Sequence, residues 1–265
     1  MQQRIPYKRI NKIYGVSLLS CKNCNQELNG TFCSHCGQKR NTGRIVLSES
    51  LKGIWDQFFD INTPVFHTIY GLLIHPGITI HEYIKGKRTA IYHPFKLFLL
   101  IFAFYYFIRI LFDFNPIDTF NAAIGNQQLP SKMSVMREAG TFLSNHINHF
   151  LLFCAFFMSL SAKLFNRRSG IFFGEYVTAS LYIISTYLLL STFSIALVFI
   201  NPKFFLINYL IVFTYPVFVY YQLHDGKGSK TWRILGGFLM NIFAWILYVI
   251  SSFALSYFIV SKISS

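Results

Sequence analysis

The feature that most constrains this chain is a run of 28 consecutive uncharged residues, Ile234 to Ser261, bounded by Arg233 and Lys262. A helix that rises 1.5 Å per residue crosses a hydrocarbon core of about 30 Å with about 20 apolar residues. Core helices of soluble proteins rarely run so far without interruption. The run therefore predicts a membrane-spanning helix.

A second run of the same kind repeats the signal, since Tyr176 to Ile200 holds 25 uncharged residues. The chain of 265 residues is 53% hydrophobic and 18% aromatic, and only 13% of its residues are charged. Ordinary soluble domains carry about 25% charged residues. A water-compatible surface cannot be built from this composition, so we expect an all-α polytopic membrane protein.

Five apolar segments are predicted to cross the membrane. They are Phe95 to about Phe112, Ile147 to Phe165, Phe173 or Tyr176 to Ile200, Phe204 to about His224, and Ile234 to Ser261. Together they form a predicted five-span transmembrane domain over residues 94–262.

Four of the five cysteines form two Cys-x2-Cys pairs near the start of the chain: Cys21 with Cys24, and Cys33 with Cys36. Each pair places two thiolates on one tight turn, and two facing pairs complete a tetrahedral shell of sulfur ligands. Thiolates favour zinc over calcium or magnesium. Because four cysteines leave no open position for water, the pattern predicts a structural Zn²⁺ site in a zinc ribbon at residues 21–40.

Neighbouring residues bear on this site. Asn25 and Gly37 directly follow the two pairs and suit the positive φ that such turns often need. His35 lies inside the second pair and is expected to be a bystander, because four thiolates already close the shell. One alternative is four free thiols in an unstructured tail. Another is a lipoprotein cleavage box ending at Cys21, for which the preceding apolar run is short and interrupted.

A basic tail (residues 1–20) precedes the ribbon, and amphipathic helices are predicted between the ribbon and the first crossing (residues 45–93). Ser48 to Ile61 carries apolar residues at helical spacing, a second helix begins at Pro64 and ends near Ile74, and a third covers Ile78 to Ile84. None is long enough to cross a bilayer. They are expected in the membrane interface or against the spans, and the pattern does not separate these alternatives.

The flanks of the spans predict their orientation, because cytoplasmic loops carry an excess of Lys and Arg. One side has ten and the other has five. The ten are Lys85, Lys87, Arg88, Lys96, Lys163, Arg167, Arg168, Lys227, Lys230 and Arg233, and the five are Arg109, Lys132, Arg137, Lys203 and Lys262. The chain is therefore expected in the cell (inner) membrane, with its N-terminus and ribbon in the cytoplasm and its C-terminus outside. This bias also accounts for the net charge of +14, so nucleic acid is not an expected partner.

Four cations near the start of the first crossing form a predicted basic collar: Lys85, Lys87, Arg88 and Lys96. Cations at this depth attract the headgroups of anionic lipids, so membrane lipids are expected partners of the collar. The alternative is that these charges only fix the orientation of the chain.

The order of motifs along the chain resembles a known family. The motifs are Cys21-x2-Cys24, Cys33-x2-Cys36-Gly37-Gln38, Trp55, His75-Pro76-Gly77, Gly86-Lys87-Arg88, Tyr92-His93-Pro94-Phe95, and five spans of which the third opens with Glu175. They resemble bacterial multi-pass membrane proteins of unknown function with an N-terminal zinc ribbon. More distantly, the topology resembles the five-span Yip-type membrane-trafficking proteins, which are non-enzymatic scaffolds. The first resemblance implies an architecture without a mechanism, and the second is analogy.

Three functional hypotheses follow. The first is a non-catalytic scaffold or adaptor that presents the cytoplasmic ribbon to a protein or lipid partner. The second is a small-solute transporter or channel, suggested by these polar residues on the spans: Thr178, Ser185, Thr186, Ser191, Ser194, Asn208, Thr214, Asn241, Ser251 and Ser252. Helix packing explains the same residues. The third is an intramembrane enzyme built around His75, His81, Glu82 and His93, whose spacing matches no familiar metal motif. Because no acid, base or nucleophile cluster is evident, we expect no enzymatic activity.

Overall fold

The computed structural model describes residues 20–28, 30–40, 64–124, 134–146, 150–167, 169–224 and 229–263. Within these ranges the chain is helical, with isolated β-bridges in the ribbon and no β-strand. The predicted all-α class is confirmed. The predicted helix at Ser48–Ile61 lies outside the described residues, as does the basic tail apart from Ser20.

Nine α-helices occur in these ranges, and four of them begin at a proline, the residue that suits a position where the N–H needs no partner. They are α1 (Pro64–Ile74), α2 (Pro76–Lys85), α3 (Pro94–Leu111), α4 (Pro116–Ile124), α5 (Ser134–His146), α6 (Leu151–Phe165), α7 (Phe173–Val198), α8 (Ile207–Leu223) and α9 (Lys230–Ile263). A 3-10 turn, Pro202–Leu206, leads directly into α8.

Four of the described helical segments are long and apolar enough to cross a membrane: Pro94–Leu111, Phe173–Val198, Pro202–Leu223 and Lys230–Lys262. They coincide with four of the five predicted crossings. The remaining predicted crossing corresponds to α6, which is apolar but has only 15 residues. Helix α4 lies in the connection between the first two predicted crossings, and no helix was predicted over its residues.

Helix α7 is the centre of the bundle. Of its most apolar window, 61% is buried within the protein, against 22% to 33% in the other three candidate spans. It packs against α3, α6 and α8. A helix without a polar face is expected to be surrounded, and α7 has neighbours on several sides.

Helix α9 has one face that is buried in the bundle and one face that is exposed. Its buried residues recur every three or four positions and include Gly237, Ala244, Tyr248, Ser252 and Ser256. The opposite face exposes large apolar side chains: Ile234, Leu235, Phe238, Leu239, Ile246, Val249, Ile250 and Phe258. Such a face is unfavourable in water and suits contact with lipid chains.

Several helix ends meet at one end of the bundle, which we call the ribbon end. The hydroxyl of Tyr220, near the end of α8, donates to Oδ1 of Asn166 at the end of α6 at 2.5 Å. The hydroxyl of Tyr182, in the first half of α7, donates to the carbonyl oxygen of Tyr92, just before α3, at 2.6 Å. The hydroxyl of Tyr176, at the start of α7, lies 3.4 Å from Nε2 of His224, just after α8. The starts of α3 and α7 therefore lie with the ends of α6 and α8.

Aromatic pairs connect the opposite end of the bundle. The rings of Phe112, after α3, and Phe199, after α7, lie 5.4 Å apart. Phe114 and Phe205 lie 6.0 Å apart. Helices α3, α6, α7, α8 and α9 therefore alternate in direction along the chain.

Helix α2 lies against α8 at a position where only glycine fits. The N–H of Gly77 donates to Oε1 of Gln222 at 2.8 Å. A Cβ atom on Gly77 would lie 2.2 Å from Cβ of Gln222 and 2.9 Å from the backbone nitrogen of Leu223. This close approach fixes α2 at the ribbon end.

Candidate metal centre and its docking surface

The four paired cysteines converge as predicted. Sγ of Cys21 lies 3.5 Å from Sγ of Cys36, and Sγ of Cys24 lies 3.6 Å from Sγ of Cys33. All four sulfur atoms lie within 4.8 Å of one another. A tetrahedral centre with metal–sulfur bonds near 2.3 Å separates its sulfur atoms by about 3.8 Å. The four thiols could therefore hold one metal ion.

The two Cys-x2-Cys turns repeat one backbone pattern; we call them the first knuckle (residues 20–27) and the second knuckle (residues 32–39). In each, the first cysteine donates its N–H to a glutamine carbonyl five residues later and accepts from the N–H four residues later. These bonds are Cys21 to Gln26 at 2.8 Å, Asn25 to Cys21 at 2.8 Å, Cys33 to Gln38 at 2.8 Å, and Gly37 to Cys33 at 2.9 Å. One antiparallel bridge closes each knuckle.

The expected positive backbone angles are confirmed. Asn25 has φ 61° and Gly37 has φ 71°. Glycine adopts this conformation without steric cost, and asparagine tolerates it better than most residues. The local sequence therefore favours both turns.

The knuckle backbones also favour thiolates. Hydrogen bonds from the backbone N–H groups of Cys36 and His35 lower the pKa of Cys33 to about 6. Burial raises the pKa of Cys21, but backbone N–H groups of Cys24 and Asn23 outweigh it and the net direction is down. At Cys24 a backbone bond from Gln26 lowers the pKa, but burial and the three other thiols outweigh it and raise the pKa to about 12. Metal binding requires deprotonated thiols, and the backbone bonds at Cys21 and Cys33 favour that form.

The second knuckle is docked on the membrane domain through Gln38, whose side chain is only 5% exposed. Its Nε2 donates to the carbonyl oxygen of Gly86 at 2.8 Å. Its Oε1 accepts from the N–H groups of Arg88 and Thr89 at 3.0 and 3.2 Å, and from the Thr89 hydroxyl at 3.3 Å. A buried amide needs such partners, and here both of its polar atoms have them.

We call residues 86–93 the docking turn. Gly86 ends α2 with φ 111°. Oδ1 of Asn23 in the first knuckle accepts from the N–H of Ala90 at 3.2 Å, which adds an exposed contact. The N–H of Tyr92 donates to the buried hydroxyl of Thr68 in α1 at 2.8 Å. Together with the bond from Tyr182, this fixes the turn to α1 and α7.

Two aromatic rings, those of Tyr83 and Tyr182, lie close to Arg88 and His93 of the docking turn. The ring of Tyr83 lies 5.7 Å from that of Tyr182 and 6.4 Å from that of His93, and the guanidinium carbon of Arg88 lies 6.0 Å from its centre. Burial, Lys96 and Arg88 together lower the pKa of His93 to about 4. His93 is therefore neutral at pH 7.

The four residues of the predicted basic collar do not share one exposed surface. Lys85 is exposed, whereas Nζ of Lys87 pairs with Oε1 of Glu82 at 2.5 Å. Arg88 is half-buried, and Lys96 is only 8% exposed. Lipid binding by the collar stays a prediction, and Lys85 is its one fully exposed member.

The residues of the enzyme hypothesis do not form a metal cluster. His75 and His81 are exposed, and His93 is half-buried at the end of the docking turn. Among the described residues, the four cysteines are the only group of three or more His, Cys, Asp or Glu close enough to share a metal ion.

Several polar side chains of the spans bond to helices. The hydroxyls of Ser185 and Thr186 donate to carbonyl oxygens one turn earlier in α7. Ser194 and Asn208 bond to each other between α7 and α8, with Nδ2 of Asn208 donating to Oγ of Ser194 at 2.8 Å. A cavity of about 70 Å³ between α6, α7, α8 and α9 has mainly apolar and aromatic walls. These hydrogen bonds lie within or between packed helices, as polar residues of spans commonly do.

Comparison with known proteins gives one family likeness. Residues 64–106 match a family described as proteins of unknown function, DUF3667. No curated protein and no solved structure matches the chain. The matched segment contains α1, α2, the docking turn and the first part of α3. The likeness thus covers the surface that carries the ribbon, and the expected resemblance to a family of unknown function is supported there.

Spacing predicted the cysteine ligands, but the docking contacts were missed. Gln38 was noted only as part of a motif, and Tyr182 was not singled out. The one available signal was the repetition of glutamine at the same position of both knuckles, Gln26 and Gln38. Nothing local distinguishes the two glutamines.

Proposed function

We propose that this chain is a non-catalytic membrane scaffold that holds a zinc ribbon in a fixed position on its membrane domain and presents the outer face of the ribbon to a protein partner. The burial of Gln38 in the docking turn carries this proposal. A ribbon on a free tail would need no such contact. A fixed ribbon loses less conformational entropy when it binds, and this favours affinity.

The outer face of the second knuckle supports a protein partner. Phe32 is 60% exposed, although phenylalanine is a costly residue to leave in water. His35, Lys39 and Arg40 are exposed on the same part of the ribbon. Aromatic and arginine side chains are enriched where proteins bind one another. An apolar partner surface with acidic residues around it fits this face.

We assign Zn²⁺ to the four-cysteine site. Four thiolates in a tetrahedral arrangement favour zinc, and a closed shell makes the site structural. The ion would stabilise the two knuckles and so preserve both the docked face and the outer face of the ribbon.

We also propose five crossings in the cell membrane, with the N-terminus in the cytoplasm and the C-terminus outside. The alternating directions of α3, α6, α7, α8 and α9 support this count, although α6 is short. A reporter active only outside the cytoplasm should be active after Ser265 and silent after Gly226. The opposite result would mean that α6 does not cross.

Affinity capture tests the scaffold function. Tagged wild-type protein from solubilised membranes should capture a partner. Phe32→Ser and Cys33→Ser should each reduce the amount captured at least tenfold, and Gln26→Ala should leave it unchanged. Phe32→Ser leaves the ligands and Gln38 intact, so it separates the outer face from folding of the ribbon. Equal capture by wild type and Cys33→Ser would overturn the proposal.

A further inference from the structure

The cavity of about 70 Å³ between α6, α7, α8 and α9 is lined by thirteen residues of the described part of the chain, and none of the thirteen is charged. Cys154 and Met158 of α6 and Ile184 of α7 are buried in its wall. An apolar cavity of about 150 Å³ takes up benzene, so one of about half that volume has room for a smaller group. A buried ion needs a partner charge, so the group that suits this cavity is uncharged.

A proline inside α8 gives this wall a polar feature. Pro216 has no N–H, so the carbonyl of Val212, one turn earlier, loses its usual helical partner. Nδ2 of Asn241 in α9 donates to that carbonyl at 3.1 Å. A hydrogen bond from a neighbouring helix is one way in which a span tolerates a proline.

The same contact leaves the other half of the Asn241 amide without a partner. A carbonyl oxygen can only accept, so the NH2 group of Asn241 must face Val212 and its Oδ1 must point elsewhere. Asn241 is 1% exposed, and Oδ1 has no hydrogen-bond partner among the described residues. Asn241 and Val212 both line the cavity, so the unpartnered acceptor lies at its wall. A buried acceptor without a partner is unfavourable, so a donor in the cavity would bind there.

The outer wall of the cavity reaches the surface of the bundle between α8 and α9. Ile211, Tyr215 and Trp245 line the cavity and are only half-buried. Exposed apolar residues adjoin them on both helices, including Leu210 and Ile246. A molecule dissolved among lipid chains would therefore meet the cavity from this side.

We propose that the cavity binds the hydroxyl end of a membrane-dissolved alcohol, which donates to Oδ1 of Asn241 while its carbon chain lies against the apolar walls. A water molecule offers the same O–H, but a buried water makes about three hydrogen bonds, and Oδ1 supplies one. An alcohol satisfies Oδ1 and also brings carbon atoms that gain from contact with Cys154, Met158 and Ile184. The acceptor and the apolar walls together therefore favour an alcohol over water.

Photolabelling of the full chain in detergent tests this site. The probes are 3-azibutanol and its methyl ether, a matched molecule that lacks the O–H donor, and mass spectrometry of peptides locates the adducts. The alcohol should label Met158 about tenfold more than the ether at equal concentration, because one hydrogen bond to a buried acceptor has about this effect. Equal labelling by the two probes would overturn the proposal. Labelling of the cavity wall by neither probe would show a cavity that is dry or holds only water, and would also overturn it.

A second arm changes the protein. Cys154→Leu takes up space in the cavity and should reduce labelling of Met158 by the alcohol at least tenfold. Cys154→Ala is the matched control, which leaves the cavity open and should retain the labelling. Asn241→Leu, checked for folding by thermal unfolding, should abolish the preference for the alcohol over the ether. Similar labelling in the two Cys154 variants, or a preference that persists in folded Asn241→Leu, would overturn the assignment.

Discussion

Gln26 and Gln38 occupy the same position in the two knuckles of the ribbon, yet one is exposed and the other is buried. Their backbones make the same hydrogen bonds to Cys21 and Cys33. Only the second glutamine contacts the docking turn. Local sequence therefore determines how each knuckle folds. A contact with Gly86, 48 residues further along the chain, determines that the second knuckle is the one that docks on the membrane domain.

The largest expected effect removes both knuckles together. Cys21→Ser and Cys33→Ser should each abolish metal binding, because either change opens the same four-thiolate shell. A structural zinc contributes about 10 to 16 kcal/mol to a small module, so the ribbon should unfold while the spans stay inserted. Metal analysis and limited proteolysis measure both effects. Stoichiometric zinc in either variant would contradict the four-cysteine site.

The second prediction separates the knuckles. Gln38→Ala leaves the carbonyl of Gly86 and the N–H groups of Arg88 and Thr89 without this partner, which costs about 1 to 3 kcal/mol. Amide exchange at Arg88 and Thr89 should accelerate about tenfold or more, with metal content unchanged. Gln26→Ala is the matched control and should leave exchange unaltered. Similar acceleration in both variants would argue against docking through the second knuckle.

The third prediction separates the pH response of the docking surface from that of the thiolates. The pKa of His93 is about 4 in the folded protein and about 6.5 when unfolded. Between these values the unfolded state binds more protons than the folded state. The contribution of His93 to the free energy of unfolding is therefore highest above pH 6.5 and decreases as the pH falls toward 4. Burial raises the pKa of the neighbouring Tyr83, so Tyr83 stays neutral in that window.

His93→Asn should therefore reduce the loss of stability between pH 7 and pH 5 by about 1 to 2 kcal/mol. Thermal unfolding in detergent measures it, with His93→Asn compared with the wild type at each pH so that the pH dependence of metal binding is common to both. An identical pH profile with and without His93 would show that His93 does not cause the loss of stability at low pH.

The smallest expected effect compares the two residues with positive φ. Gly37→Ala should weaken the ribbon by about 1 kcal/mol, because a Cβ atom meets nothing within 4 Å and only the backbone conformation is strained. Asn25→Ala should cost only a few tenths of that, since Asn25 already carries a Cβ. Competition with a zinc chelator ranks the two variants. A larger loss in Asn25→Ala would contradict this order.

Apolar run length predicted α3, α7, α8 and α9, because a hydrocarbon environment imposes both length and composition on a span. Helix α2 begins at Pro76, two residues before the predicted Ile78, since proline suits the first helical position. Helix α4 (Pro116–Ile124) was missed although Ile117, Phe120 and Ile124 follow helical spacing, because nine residues are too few to make that pattern distinct.

Cysteine spacing predicted the four-thiol cluster because a knuckle is closed within eight residues. The docking contact depends on α2, which brings Gly86 to the ribbon. Sequence periodicity predicts helices but not which distant segments come into contact. For the same reason the burial of Lys96 was not foreseen. It follows from the packing of α3 at the docking turn.

The close contact between Gly77 and Gln222 has a mechanical consequence. From Gly77 the helix α2 runs to Gly86, a length of about 14 Å at 1.5 Å per residue. The start of α2 lies against α8 with no room for a methyl group, and Gly86 at its other end accepts the hydrogen bond from Gln38. The length of α2 therefore sets the distance between the ribbon and the bundle. That distance depends on the absence of a side chain at Gly77.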